Sequence, residues 1–528
     1  MSILTQASSS TSQTKSSSFP MIVKLIFIGL ITQLIYTIYI VAFPIISNTQ
    51  AGGPAADLEI LMRDFRWFAP IYTLGIVLLY YLFWLALKYV STVDEASKAP
   101  KSKDSLSPHM LKLIILGFGL LFGFTLTWLY PITANDLFRY VLRGRIWAVY
   151  GDSPMIVPPN AYPDDPYAAF AGEFGDWVSG YGPLWEIVVQ GPLRLGAVDM
   201  IPGSMGLKFV VLISYLISCI LIGWYAKLEK SSSITALMFF AWNPLVLIQG
   251  PGNGHNDLLF MMLLILGIIF WQKKIWWATV LLLTLSALAK APAMLMIPLF
   301  GVILLREQPS WSQRIVKAIG AGLIGIVTAY LVYSALGPVN ETLVGVSDML
   351  TTRRGFAPAS AVRMVLREVL PRGAEIPAES IPGAGLLQNS LPCSNPESGL
   401  GVRLVDQIMP CQIAENIPRT LGRNIFLLFY VWVLWRLWQN KLNLVTAGFL
   451  VYFSQLMMGR TFRIWYPLWM IPLAAFHLTP ATFWRIFLFS FTSELSIINY
   501  FVVWRWWLRD LPWERLGLLT TAFYWPVM

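Results

Sequence analysis

Residues 21–43 read MIVKLIFIGLITQLIYTIYIVAF, with Lys24 as the one formal charge. A helix of this length crosses the roughly 30 Å hydrocarbon core of a bilayer. The run is also too long for the apolar region of a cleaved signal, so it reads as a retained transmembrane helix. Further apolar segments follow at 69–90, 111–130, 207–226, 234–250, 258–271, 275–289, 292–305, 315–336, 424–438, 442–458, 463–477 and 482–506. Their apolar residues are continuous rather than alternating, which excludes a closed β-barrel. The expectation is an all-α polytopic membrane protein with about 13 (11–14) transmembrane helices, the count being loose because several segments fall short of about 20 residues.

Composition agrees. Of the 528 residues, 56% are hydrophobic and 12% charged, and the mean hydropathy is +0.62. Soluble domains carry about a quarter charged residues, so a soluble enzyme, a disordered chain and a disulfide-rich secreted scaffold are excluded. The net charge of +10 comes from 38 Lys and Arg against 28 Asp and Glu. It fits cytoplasmic loops better than a nucleic-acid partner, because no basic stripe or binding motif accompanies it.

Basic residues set the expected orientation. With the N-terminus cytoplasmic, the inside loops hold Lys98, Lys101, Lys103, Lys227, Lys230, Lys273, Lys274, Arg306, Arg314, Lys317, Arg436 and Lys441. The short outside loops hold fewer, as the positive-inside bias requires. The expected organisation is a Ser-rich, disordered cytoplasmic tail over 1–20, the first three transmembrane helices over 21–130, an extracytoplasmic catalytic loop with interfacial helices over 131–206, transmembrane helices over 207–336, an extracytoplasmic loop or cap over 337–423, and C-terminal transmembrane helices over 424–528. Cys393 and Cys411 lie in or beside the second long loop. A disulfide between them would order that loop by about 3 kcal/mol, two free thiols being the alternative.

The first long loop opens with Asn135-Asp136 and continues to Arg139, Tyr140 and Arg143. On a helix, Asp136, Arg139 and Arg143 share one face, while Leu137, Val141 and Leu142 turn to lipid or to neighbouring spans. A plain interfacial helix, its arginines meeting lipid phosphates, would look the same. Beyond it come Gly151-Asp152-Ser153-Pro154 and Tyr181-Gly182-Pro183. Later segments are Trp242-Asn243-Pro244, then Gly252-Asn253-Gly254-His255-Asn256-Asp257, Ala289-Lys290-Ala291-Pro292, and Arg463-Ile464-Trp465-Tyr466-Pro467-Leu468-Trp469.

In this order the segments resemble the glycosyltransferase C superfamily, most closely the bacterial polyprenyl-phosphate-mannose-dependent mannosyltransferases. The likeness runs over about 131–475. It implies a multi-pass protein of the bacterial inner (plasma) membrane, with the acidic residue of the first large loop at an extracytoplasmic reaction centre. It further implies an inverting transfer of a hexose, mannose foremost, from a polyprenyl-phosphate donor to a lipid-linked glycan or polysaccharide.

The chemistry fits the same residues. Transfer needs a base for the acceptor hydroxyl and positive charge for the departing phosphate. Asp136 is the base candidate, at a helix start that favours its ionised form. Arg139, Arg143, Lys290, Arg460 and Arg463 are candidates for the phosphate. Tyr140, Tyr181 and Trp465 offer faces to the sugar, and Asn135, His255, Asn256, Asp257 and Tyr466 complete the expected substrate-binding set. His255 with Asp257 gives too few ligands to claim a metal; the pair either orders a loop or supplies a second acid. No resident cofactor is expected, and a divalent cation is left open.

Each candidate also has a plainer role: Lys290 can snorkel from a span end, Trp465 and Tyr466 can belong to the interfacial aromatic belt, and Arg353 and Arg354 can be solvated. A transporter or flippase for a lipid-linked or anionic solute is the alternative function. It would place its polar residues at mid-membrane, where Glu494 is the main ionisable residue, and no internal repeat supports it. A lipid-linked polysaccharide ligase or polymerase is a further alternative.

Overall fold

A computed structural model of the chain describes residues 19–49, 56, 58–96, 108–229, 233–343, 376–377, 407–408, 410–459 and 462–507. In chain order its helices are α1 (Phe19–Ala42), α2 (Ile45–Asn48), α3 (Leu58–Met62), α4 (Phe68–Ala96), α5 (Pro108–Leu126), α6 (Asp136–Tyr150), α7 (Pro183–Arg194), α8 (Met200–Leu228), α9 (Ser233–Ala241), α10 (Pro244–Leu247), α11 (Asp257–Gln272), α12 (Trp276–Ala289), α13 (Met296–Arg306), α14 (Trp311–Ser334), α15 (Pro410–Trp438), α16 (Leu444–Met458), α17 (Ile471–Phe476) and α18 (Pro480–Ile498). Among the described residues, one short antiparallel pair joins Ile376–Pro377 to Gln407–Ile408.

Among the described residues, five helices are long and apolar enough to cross a membrane: Ile22–Ala42, Phe68–Thr92, Pro108–Leu126, Met200–Leu228 and Trp311–Ser334. The last makes the case for lipid. None of its apolar window is buried, and Leu323, Ile326 and Leu331 are each more than half exposed. So continuous an apolar surface needs a non-aqueous solvent. The chain is a multi-pass helical membrane protein. Several of the other apolar segments form shorter helices, among them Asp257–Gln272, Trp276–Ala289 and Leu444–Met458, each below the length of a straight full crossing.

The segment expected as one span over 234–250 is two pieces bent by 52°. Pro244 cannot continue the hydrogen-bond ladder of α9, so the chain restarts there, with the Asn243 side chain accepting from the Leu245 N–H at 3.1 Å. A wide turn over Ile248–Gly252 then carries the chain to the start of α11. Trp242 anchors the bend, its indole N–H donating to the Ile115 carbonyl at 3.0 Å.

The first long loop is folded. α6 packs against α7 and α8, which bury Leu137, Tyr140, Val141, Arg143 and Arg145 alike. The helix expected to lie in the interface, with its apolar side in lipid or on neighbouring spans, is packed on protein, and Arg143 and Arg145 are buried with the apolar side. Gly151 closes α6 in the left-handed region at φ +83°, which favours glycine. Beyond it, Arg145 pairs with Asp165 at 2.9 Å and donates to the Val198 carbonyl at 2.6 Å, tying the returning chain to the helix. At the same end, α1 and the segment after α5 are joined through Ile45 and Trp128 and through Tyr130 and Phe43. Whether 337–423 forms a cap falls largely outside the described residues. So do Cys393 and the side chain of Cys411, and with them their pairing.

Candidate active site

Three broken or newly started helices converge on one place. Asp136 opens α6, Asp257 opens α11, and Lys290 sits where α12 gives way to Ala291–Leu295. The fourth wall is the turn over Tyr466–Trp469 ahead of α17. Helix starts present unpaired N–H groups and a positive dipole end, so they suit carboxylates and phosphates.

The Asp136 carboxylate faces two partners. Arg139, one turn along α6, pairs with it at 3.3 Å, and His255 brings Nδ1 to 3.8 Å. Burial works to raise the Asp136 carboxyl, but the charges of Arg139, His255, Arg463 and Lys290 outweigh it and hold it below its usual value. Its side chain keeps 14% exposure, whereas those of His255 and Asp257 have none. Burial pushes the His255 imidazole down to about 4, so it is neutral near pH 7, and the nearest positive charge on Asp136 is then Arg139. The ring stacks on Trp465 with centroids 4.0 Å apart, and neither of its nitrogens has a hydrogen-bond partner.

Asp257 is fully engaged. Lys290 donates to one of its oxygens at 2.6 Å and the Trp469 indole N–H to the other at 2.6 Å. Lys290 also donates to the Asn256 side chain at 3.0 Å and lies 6.0 Å from the centroid of Tyr466, which stacks on Trp469. Lys290 is therefore a clamp on the 256–257 corner rather than a snorkelling span end. With both carboxylate oxygens occupied, Asp257 is placed to order this corner.

A second group lies further along α6. Tyr140 sits edge-on between Tyr181 at 4.7 Å and Trp185 at 5.0 Å, and Arg143 lies 5.6 Å from the Tyr181 ring. Burial lowers the pKa of Arg143 despite the nearby charge of Glu186. Two expectations change here. Tyr140 and Trp465 were to offer open faces to a sugar, but Tyr140 is closed in by other rings and Trp465 spends a face on His255. Tyr181 remains partly exposed. Arg139 packs its guanidinium on Phe174 at 3.9 Å, a residue no motif marked. Asn135 precedes α6 without a side-chain cap bond. Arg460 lies outside the described residues.

Sequence reasoning also missed Trp469 as a partner of Asp257. It passed over Glu186, which is fully buried, accepts from the Ser179 hydroxyl and is pushed up chiefly by that burial. The charge at position 186, one turn into a helix opened by Pro183, was the available signal. Among the described residues no group of three or more His, Cys, Asp or Glu is arranged to hold a metal ion.

Comparison with known proteins places these residues. Residues 49–306 match the model of a family described as alpha-(1->6)-mannopyranosyltransferase, N-terminal domain. This part of the chain is mannosyltransferase-like. It carries Asp136, Arg139, His255, Asp257 and Lys290, while Trp465, Tyr466 and Trp469 come from beyond it. The chain is also 24% identical over 247 residues to alpha-(1->6)-mannopyranosyltransferase A of Mycobacterium tuberculosis (strain ATCC 25618 / H37Rv), covering 46% of each protein. The chain thus spans about half the length of that relative in the match.

Proposed function

We propose that the chain is an integral membrane mannosyltransferase. In this reading it moves a hexose, mannose foremost, from a polyprenyl-phosphate sugar to a lipid-linked glycan or polysaccharide acceptor on the extracytoplasmic face. The observation that carries it is Asp136, partly exposed and held ionised beside Arg139, inside the mannosyltransferase-like region.

Asp136 takes the proton of the acceptor hydroxyl as that oxygen attacks the anomeric carbon. The bond from that carbon to the phosphate oxygen breaks, and the polyprenyl phosphate leaves. Displacement from the opposite face inverts the centre, so a β-linked donor gives an α-glycoside. Arg139, Arg143 and Arg463 supply positive charge for the departing phosphate, Arg139 exchanging Asp136 for it. Lys290, already committed to Asp257 and Asn256, keeps the His255–Asp257 corner in place. We assign no resident cofactor; a divalent cation would arrive with the donor phosphate.

The wider reading is a glycosyltransferase C-like architecture of about thirteen spans, several short or bent, in a bacterial plasma membrane with the N-terminus cytoplasmic. The experiment is transfer of labelled mannose from polyprenyl-phosphate-mannose in membranes expressing the chain, wild type against Asp136→Asn. Asn keeps the shape but cannot take a proton, so a loss of about 10²-fold or more is expected at normal membrane insertion. Transfer persisting in the variant would place the base elsewhere. No transfer by wild type from mannose, glucose or arabinose donors would sink the enzyme reading and favour transport.

A further inference from the structure

Glu494 lies on α18, beyond the residues the family model matches, and it is fully buried. A buried carboxyl group among apolar helices is costly unless it is hydrogen-bonded. One of its oxygens accepts from the Gln249 side-chain NH2 at 2.8 Å, across 245 positions of sequence. With its NH2 given to that oxygen, Gln249 turns its own oxygen the other way. That oxygen accepts from the Thr133 hydroxyl at 2.9 Å and from the Asn253 NH2 at 3.2 Å. The Asn253 oxygen in turn accepts from the Thr133 backbone N–H at 3.3 Å. Thr133, Gln249 and Asn253 are buried as well.

The two ends of this relay matter. Thr133 stands three residues before Asp136, and Asn253 two before His255. The relay therefore ties the two strands of chain that deliver Asp136 and the His255–Asp257 corner to each other. Lys208 of α8 pins the same junction from another side, donating to the carbonyls of Leu129 and Gly252. If Glu494 is absent or too short, the Gln249 amide is free to rotate; the Thr133 hydroxyl then loses its acceptor, and Asn253 keeps only the Ile248 carbonyl at 3.0 Å.

We propose that Glu494 is a positioning residue of the candidate site, acting through the Gln249 amide to hold Thr133 and Asn253 and so the spacing of Asp136 from His255. The proposal rests on the transferase reading for its activity readout.

The test compares Glu494→Gln with Glu494→Asp in the full-length protein. Gln keeps the reach and an acceptor oxygen but not the carboxyl group; Asp keeps the carboxyl group but falls short by about 1.5 Å. The expected result is that Glu494→Asp lowers kcat about tenfold or more with donor KM within about threefold, while Glu494→Gln stays within about threefold of wild type. Amide hydrogen exchange over 131–136 and 253–257 should quicken about tenfold in the Asp variant alone. The reverse order, with Gln inactive and Asp tolerated, would mean that the carboxyl group rather than its reach matters and would overturn the proposal. Two tolerated variants, or two inactive ones, would overturn it equally. Should Glu494→Asp fail to fold, Thr133→Val breaks the far end of the relay, and wild-type kcat and exchange in that variant count against the proposal. If wild type transfers no sugar, the transferase reading falls, while the exchange data still decide the positioning role.

Discussion

Asp257 is held by an ammonium 2.6 Å from one oxygen and an indole N–H 2.6 Å from the other, and its side chain has no exposure. Removing one partner of a buried ion pair costs more than the pair is worth, because the remaining charge is left without compensation. Lys290→Met should therefore destabilise the protein by about 3–5 kcal/mol, read as a lower thermal midpoint in detergent micelles. Adding Asp257→Asn removes the stranded charge, so the double variant should recover most of the midpoint. It should not recover sugar transfer, because Asn256 and His255 still lose the Lys290 clamp. A double variant as unstable as Lys290→Met alone would contradict this account. Asp257 and Lys290 could both be singled out in the sequence from their motifs. The second partner of Asp257, Trp469, could not be assigned, because a residue 212 positions away leaves no periodic trace at either end.

At the scale of elements, the site depends on how closely α7 approaches the end of α12. Gly182 precedes α7 with φ −68°, a value open to any residue, so its glycine is needed for space rather than for conformation. A Cβ there would run into the Leu288 carbonyl and the backbone of Ala289, just before Lys290. These are backbone atoms that no rotamer change can move. Gly182→Ala should push the start of α7, and Tyr181 with it, away from Lys290. Overpacking of this kind costs about 1–3 kcal/mol, and a displacement near 1 Å can cost about 10²-fold in rate. The expected outcome is transfer reduced about tenfold or more in a protein that still inserts. Gly191, inside α7 with open space at its Cβ position, is the control. Gly191→Ala should leave transfer unchanged. The sequence marked Tyr181-Gly182-Pro183 only as a motif, and Pro183 opens a helix. The neighbour that requires the glycine belongs to another segment, so nothing local in the sequence could reveal it.

For the whole molecule, hydropathy was enough to read a helical membrane protein, because long apolar runs such as 21–43 have no other stable use. The short helices α11 and α12 were read only as apolar segments, and the span over 234–250 was read as unbroken although Asn243-Pro244 was marked as a motif, since hydropathy records burial but not direction. The site divides unevenly along the chain. Asp136, His255, Asp257 and Lys290 lie in the mannosyltransferase-like region, residues 49–306, yet Trp465 covers His255, Trp469 binds Asp257 and Glu494 braces Gln249 from beyond it. The N-terminal part should therefore insert but lack a wall of the site. Expressed alone, residues 1–336 should transfer no sugar. Contacts of α13 with α15 and α16, and of α8 and α9 with α17, join the two parts without a covalent link. In membranes, helices that have inserted separately associate through such packing. Co-expression of residues 1–336 with residues 337–528 should accordingly restore measurable transfer from polyprenyl-phosphate-mannose. Introducing Trp469→Phe into the second fragment, which removes one hydrogen bond to Asp257, should lower the restored rate about tenfold. Full transfer by residues 1–336 alone would mean that the C-terminal helices take no part in the site.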